Sequence, residues 1–129
     1  MFKCILLLLS LCGAALYFPP TRPTVVDTLA PVINPVLTWQ TKGEMDRIVR
    51  ELLSLNEQGT ALPAPGDRFQ RWMERQFFGG AKTDAWGTDY TLQIDRDELL
   101  VVSNGPDQEP GTADDLTRLV IRQSRRDGP

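Results

Sequence analysis

The sequence predicts an α+β fold, in which an N-terminal hydrophobic leader is followed by an amphipathic helix packed on a small antiparallel sheet of about three strands. Three observations predict it: an apolar run at the N-terminus, a helical hydrophobic period in the middle of the chain, and a two-residue period after it. The 129 residues divide into a signal peptide or membrane anchor at 1–19, a proline-rich linker at 20–40 and one globular domain at 41–129.

The leader has the charged start and apolar centre of a secretory signal, with Lys3 before an apolar run from Cys4 to Phe18. As a helix, this run would span roughly 22 Å, short of the ~30 Å hydrocarbon core of a bilayer. It is therefore either a marginal membrane anchor or a signal that is cleaved after Ala15. A lipoprotein signal would use Cys12, although Leu11 stands where such signals carry a small residue.

The composition excludes several classes of function. The formal charge of −3 leaves no basic excess for binding nucleic acid. The chain has no histidine, which excludes histidine-dependent catalysis and removes the commonest zinc ligand. Both cysteines, Cys4 and Cys12, lie in the leader, so the domain at 41–129 has neither a disulfide nor a thiol nucleophile.

Prolines predict that residues 20–40 form a linker rather than a long helix, because each removes a backbone donor and biases the preceding residue towards extended geometry. The first helix is predicted to begin at Thr41, since Thr41 and Glu44 have the spacing of a capping box, and to end at Gly59 and Pro63. The apolar residues of its core face are Met45, Ile48, Val49, Leu52, Leu53 and Leu55.

A second, shorter helix is predicted from an N-terminal cap at Asp67 to Gly79-Gly80. Its aromatic and apolar residues recur at helical spacing, which indicates a contribution to the core and leaves a ligand pocket as the alternative. These residues are Phe69, Trp72, Met73 and Phe77.

After Gly87 the alternation predicts a β-hairpin, with strands at 90–94 and 98–103 joined by a turn at Asp95-Arg96-Asp97. A third strand is predicted from Leu116 to about Gln123, with Leu119 and Ile121 towards the core, and a terminal helix is the alternative. Asp95 and Asp97 could act as paired carboxylates in an enzyme, but turn residues in solvent are the ordinary explanation and no other catalytic group accompanies them.

The segment from Ser103 to Leu116 concentrates carboxylates and turn-forming residues. Calcium takes six to eight oxygen ligands, and Asp107, Asp114 and Asp115 offer three carboxylates in a chain bent by glycine and proline. The EF-hand pattern does not fit, because the alternating leading carboxylates and the closing glutamate are missing. Composition alone leaves a solvated surface turn as the alternative.

Ser103-Asn-Gly-Pro-Asp107 followed by Gly111-Thr-Ala-Asp-Asp115-Leu resembles the calcium loop of the major pseudopilins of type II secretion. Upstream, Thr83-Asp-Ala-Trp-Gly-Thr-Asp-Tyr90 is similar to the family's Asp-Pro-Trp-Gly…Tyr segment, and the resemblance covers about residues 41–116. It implies a calcium ion (Ca²⁺) held by the side chains of Asp107, Asp114 and Asp115, with backbone oxygens near Val102, Ser103 and Thr112 as further ligands. Within it, Trp86 is expected in the core and Asp84 is expected to hydrogen-bond its turn.

The resemblance implies a calcium-binding structural or interaction protein associated with type II protein secretion, and not an enzyme. Its partners would be secretion-system or other envelope proteins, with membrane contact through an uncleaved leader and no nucleic acid. It would lie in the bacterial cell envelope, with a periplasmic domain that is anchored to the inner membrane or exported. The leader lacks the prepilin cleavage motif and the glutamate of pseudopilins, so the alternative is a free-standing calcium-stabilised envelope binding module unrelated to secretion.

Overall fold

The computed structural model describes residues 5–7, 9–11, 14, 22–77 and 82–122. In these parts the chain is α+β, and its three strands form an antiparallel sheet in the order β1-β2-β3, which confirms the predicted class. The elements are α1 (Arg22–Glu57), α2 (Asp67–Gln76), β1 (Thr91–Asp95), β2 (Glu98–Ser103) and β3 (Leu116–Arg122).

The chain divides into two compact units, residues 1–36 and 37–129. In the first unit, the described leader residues are helical and exposed. Lys3, Cys12 and the cleavage position Ala15 lie outside the described residues. No helix in the part of the chain that the structure describes is long and apolar enough to cross a membrane.

The first helix begins nineteen residues earlier than the capping box predicts. It starts at Arg22 and contains Pro31 and Pro35, so the predicted start at Thr41 is wrong and residues 22–40 are helical rather than extended. Two prolines four residues apart lie on the same side of a helix, so the two missing donors leave the hydrogen bonds on the other sides intact.

The second half of α1 supplies the helical part of the core. Met45, Ile48 and Leu52 are fully buried, and the other apolar residues of the predicted face pack against them. The helix ends as predicted at Gly59, whose φ of 68° lies in the left-handed region that favours glycine, and the Thr60 amide donates to the Leu55 carbonyl at 3.0 Å. The buried residues of this face belong to one core cluster with Leu92, Leu99 and Val101 of the sheet, and their burial stabilises the domain.

Helix α2 extends the core with aromatic rings. Phe69, Trp72 and Met73 are buried as predicted, and the rings of Phe69 and Trp72 stack with centroids 5.8 Å apart. The predicted cap at Asp67 is wrong, because Asp67 is already the first helical residue and Gly66 precedes it without a side-chain cap. The predicted closing glycines, Gly79 and Gly80, lie outside the described residues.

The sheet follows the predicted hairpin and adds the predicted third strand as far as Arg122. The prediction that Leu119 faces the core is wrong, since Leu119 is 45% exposed and Val120 is buried instead. Leu100 pairs with Leu119 but Leu99 pairs with Ile121, so Val120 is an extra residue in a β-bulge. The bulge shifts the alternation by one residue, which turns Val120 inward.

Candidate functional site: the loop between β2 and β3

The acidic loop, residues 104–115, connects two strands whose ends are paired. Ser103 at the end of β2 lies opposite Leu116 at the start of β3, so the register of the sheet brings the two ends of the loop together. The backbone has positive φ at Gly105 (68°), Gln108 (61°) and Gly111 (84°). These three bends fold the acidic loop into a compact structure.

Gly105 is required by a close approach within the acidic loop. A Cβ atom at this position would collide with the backbone carbonyl of Asp114, and the φ angle of Gly105 is strained for any other residue. The approach brings the first turn of the loop against its last turn. Asp107 and the pair Asp114-Asp115 are thereby carried on the two sides of one closed loop.

The three predicted carboxylates have different surroundings. Asp107 is exposed, and its Oδ1 accepts a hydrogen bond from the Glu109 amide at 3.0 Å. Asp115 is half-buried and accepts from the Gly111 amide at 2.8 Å. Its second oxygen accepts from the hydroxyl of Thr112 at 3.3 Å. Asp114 is exposed at the loop surface.

The predicted backbone ligands lie at the base and the far side of the acidic loop. Val102 and Ser103 are buried in β2, and Thr112 is half-buried. The carbonyl of Thr112 accepts the Asp115 amide at 3.3 Å. The carbonyl and the hydroxyl of Thr112 are therefore both held by hydrogen bonds to Asp115 within the loop.

The acidic loop offers the hard oxygen donors that calcium prefers. Among the described residues, however, no group of three or more acidic, histidine or cysteine side chains is arranged to hold a metal ion. Asp107, Asp114 and Asp115 thus share one loop without converging on one point. Calcium coordination by all three would therefore require the acidic loop to rearrange so that the three carboxylates come together.

A buried carboxylate fixes the base of the acidic loop. Asp84 is 4% exposed, and its Oδ2 accepts from the hydroxyl of Ser103 at 2.6 Å. Its Oδ1 accepts from the amides of Trp86 at 3.1 Å and Thr88 at 2.9 Å, as expected for the turn. The Ser103 oxygen in turn accepts the Gly105 amide at 3.2 Å. Three donors therefore satisfy the buried oxygens of Asp84.

We call residues 82–90 the tether segment, because a second polar bridge also joins it to the acidic loop. The side-chain amide of Gln108 donates to the Trp86 carbonyl at 2.8 Å, and Asn104 donates to the Gln108 carbonyl at 3.3 Å. Trp86 is half-buried, so the prediction that it belongs to the buried core is wrong. Its backbone amide donates to Asp84 and its carbonyl accepts from Gln108, so its backbone takes part in both polar bridges.

The tether segment is also held by α1, through the two residues that were predicted as a capping box. Thr41 is buried, and its Oγ1 accepts the Ala85 amide at 3.3 Å. Glu44 accepts the hydroxyl of buried Tyr90 at 2.8 Å. Burial, and then this bond to Glu44, raise the pKa of Tyr90 well above its usual range. The capping box is wrong, because these side chains lie in the helix interior and bind a distant segment.

Asp95 and Asp97 do not enter this network. Both are exposed at the turn of the hairpin. The nearest ordered ion pair joins Glu98 and Arg122, whose charged atoms lie 2.7 Å apart and bridge β2 and β3. The two aspartates therefore have the surroundings of solvated turn residues.

Sequence reasoning did not anticipate the bonds of Ser103 and Gln108 to the tether segment. The spacing of Asp84 and Trp86 was the signal for the turn itself, but residue types do not indicate which distant segment a serine or a glutamine contacts.

Searches of protein-family models, of curated proteins and of solved structures give no match to this chain.

Proposed function

We propose that this chain is a pseudopilin-like structural and interaction protein associated with type II protein secretion, and that its acidic loop binds Ca²⁺. The ligands would be the carboxylates of Asp107, Asp114 and Asp115. Backbone oxygens of Val102, Ser103 and Thr112 would complete the coordination. The domain would be periplasmic, and the leader would anchor it or direct its export.

The observation that carries this proposal is the continuity of α1. Pseudopilins have an N-terminal helix that continues into the globular domain, and the prolines of this chain argue against such a helix when the sequence is considered alone. Helix α1 nevertheless runs from Arg22 to Glu57, through Pro31 and Pro35, and its last part lies in the core. This architecture supports the assignment to the pseudopilin type.

A second observation supports the same assignment. The two segments that carry the resemblance, residues 83–90 and 103–116, are separated in sequence by the hairpin strands. Hydrogen bonds from Ser103 to Asp84 at 2.6 Å and from Gln108 to Trp86 at 2.8 Å join them. A loop fixed at its base needs to order fewer residues when it binds an ion, which favours binding. The resembling segments thus form one structural unit.

Calcium is supported by the chemistry of the acidic loop rather than by a preformed cluster. The loop contains four carboxylates and no lysine or arginine between Ser103 and Leu116. Asp107 and Asp114 are exposed, so a cation in solvent can reach both carboxylates. Carboxylates held in one small loop repel one another, and a divalent cation removes that repulsion.

Photo-crosslinking in the cell that produces the chain tests the secretion assignment. Trp39 is 79% exposed on α1, and a photoreactive phenylalanine analogue at this position should crosslink to components of a type II secretion machine. The matched control places the analogue at Ile94, which is exposed on β1. Deletion of the gene for this chain should also lower type II secretion, and the proteins that the secretion machine exports should accumulate in the periplasm.

The free-standing envelope module remains the second candidate, because the leader lacks the prepilin motif and its glutamate. The same experiment separates the two functions. Crosslinks only to envelope proteins outside the secretion machine, together with unchanged secretion after deletion, would favour the free-standing module and contradict the first proposal.

A further inference from the structure

Helix α2 carries three arginines that have no acidic partner. Arg68, Arg71 and Arg75 recur at the spacing i, i+3 and i+7, which places them along one side of the helix, and all three are exposed. Within residues 22–77 and 82–122, none of the three guanidinium groups takes part in an ion pair or a hydrogen bond. This basic row is a local exception in a chain of net charge −3.

The three arginines line a groove with an apolar floor. The groove has a volume of about 320 Å³ and lies between α2 and the chain that follows α1. Leu55 and Pro63 are half-buried beside it, and Trp72, which is 8% exposed, also lines it. Arginine side chains around a small apolar depression are typical of the centre of a protein interface.

We propose that this arginine groove is a docking site for an acidic segment of a partner protein, in which carboxylates flank one apolar side chain. The planar guanidinium groups of Arg68, Arg71 and Arg75 can each donate two hydrogen bonds to one carboxylate, a geometry that a lysine does not provide. The apolar side chain enters the depression over Trp72 and Leu55. Charge gives orientation and rate of association, and the buried side chain gives residence time.

The surroundings of the groove favour a peptide over an anionic membrane. Asp67 and Glu74 flank Arg71 on the same helix, at i−4 and i+3. Glu74 is held by Lys82, with the charged atoms 2.9 Å apart. A flat anionic surface that reached all three arginines would also meet Asp67 and Glu74, whereas a narrow peptide can lie along the arginine side alone.

The proposal goes beyond the calcium-binding function and does not depend on it. No residue of the arginine groove belongs to the acidic loop or to the tether segment. Loss of calcium binding would therefore leave docking in this groove intact, and the two proposals fail separately.

Fluorescence anisotropy on the full chain, purified in a mild non-ionic detergent, tests the groove. The probes are labelled peptides of about ten residues made of Glu and Leu, of Glu and Ser, and of Lys and Leu. The test variant replaces Arg68, Arg71 and Arg75 by Gln. The matched control replaces Arg47, Arg50 and Arg96, which are three exposed arginines elsewhere, so it removes the same charge.

We expect the Glu–Leu peptide to bind more tightly than the other two peptides. Its affinity should fall as the salt concentration rises. The triple groove variant should lose about tenfold or more in affinity while the control variant keeps it. If the triple variant melts below the control, Arg71→Gln alone should still weaken binding several-fold.

Equal affinity of the groove and control variants would overturn the proposal, as would the absence of any binding of the Glu–Leu peptide. Direct binding of short-chain phosphatidylglycerol with the same arginine dependence, together with no binding of the Glu–Leu peptide, would assign the groove to lipid headgroups and would also overturn the proposal.

Discussion

Tyr90 connects the tether segment to both helices of the domain. Its ring is fully buried and its hydroxyl donates to Glu44 across 2.8 Å. Its carbonyl accepts the side-chain amide of Gln70 in α2 at 2.7 Å. One tyrosine thus has polar contacts with two helices while its ring fills the core.

Because burial and the bond to Glu44 raise the pKa of Tyr90, the domain should lose stability in alkaline solution. The unfolded state releases the phenolic proton above about pH 10, and the folded state keeps it. The unfolding free energy should therefore fall above pH 10, by up to about 1.4 kcal/mol per pH unit from this group. Urea unfolding at a series of pH values measures the slope. Tyr90→Phe should lack this part of it, and an identical slope in both proteins would contradict the assignment.

Gly105→Ala should damage the acidic loop more than Gly111→Ala does. Both glycines have positive φ, but only a methyl group at position 105 meets the Asp114 carbonyl, whereas position 111 faces open space. Backbone strain alone costs about 1–3 kcal/mol, and the collision adds to it at Gly105. Thermal unfolding of both variants measures the difference. Equal destabilisation would mean that the close approach does not hold the loop.

At the residue scale, sequence reasoning found groups that act locally. The bond of Asp84 to its own turn follows from short-range chemistry and was predicted. Thr41 and Glu44 were misassigned because a threonine three residues before a glutamate also suits a helix interior that receives hydrogen bonds from another segment. The packing of α1 against the tether segment decides between the two, and no local pattern reports that packing.

Among the elements, α1 depends on the buried face that its periodicity predicted. Leu52→Ala should lower the unfolding free energy by about 2–5 kcal/mol, because Leu52 is fully buried among the core residues. Ile94→Ala removes an exposed side chain of β1 and should cost less than about 1 kcal/mol. Chemical denaturation of both variants provides the comparison. A Leu52 variant as stable as the Ile94 variant would show that the helix face is misplaced.

The elements show where periodicity is a sufficient guide and where it fails. The face from Met45 to Leu52 was predicted because burial imposes a regular period on a helix. The hairpin was predicted because two segments rich in strand-forming residues flank a short turn. The start of α1 was not predicted correctly, because proline lowers helix stability but does not forbid a helix whose other turns are intact. Val120 was missed because a bulge inserts one residue without a signature in the residue types.

For the whole molecule, the leader is expected not to behave as a prepilin. It lacks the processing motif and the glutamate, so the mature N-terminus should be intact or cut near Ala15. Mass spectrometry of the protein purified from its own cells measures this directly. An N-methylated terminus produced by a prepilin-type peptidase would contradict the expectation and would strengthen the case for assembly into a pseudopilus.

The central claim at this scale is that a cation in the acidic loop stabilises the whole domain. Thermal unfolding in millimolar calcium and in chelator tests it most directly. Calcium that binds only the folded state adds about 2.7 kcal/mol at a hundredfold excess over Kd, so the melting temperature should rise in calcium. The double variant Asp114→Asn and Asp115→Asn should lose the rise. Asp95→Asn with Asp97→Asn, which removes the same charge at the hairpin turn, should keep it. Identical melting of the unmodified protein in calcium and in chelator would contradict the claim and leave the acidic loop a solvated turn.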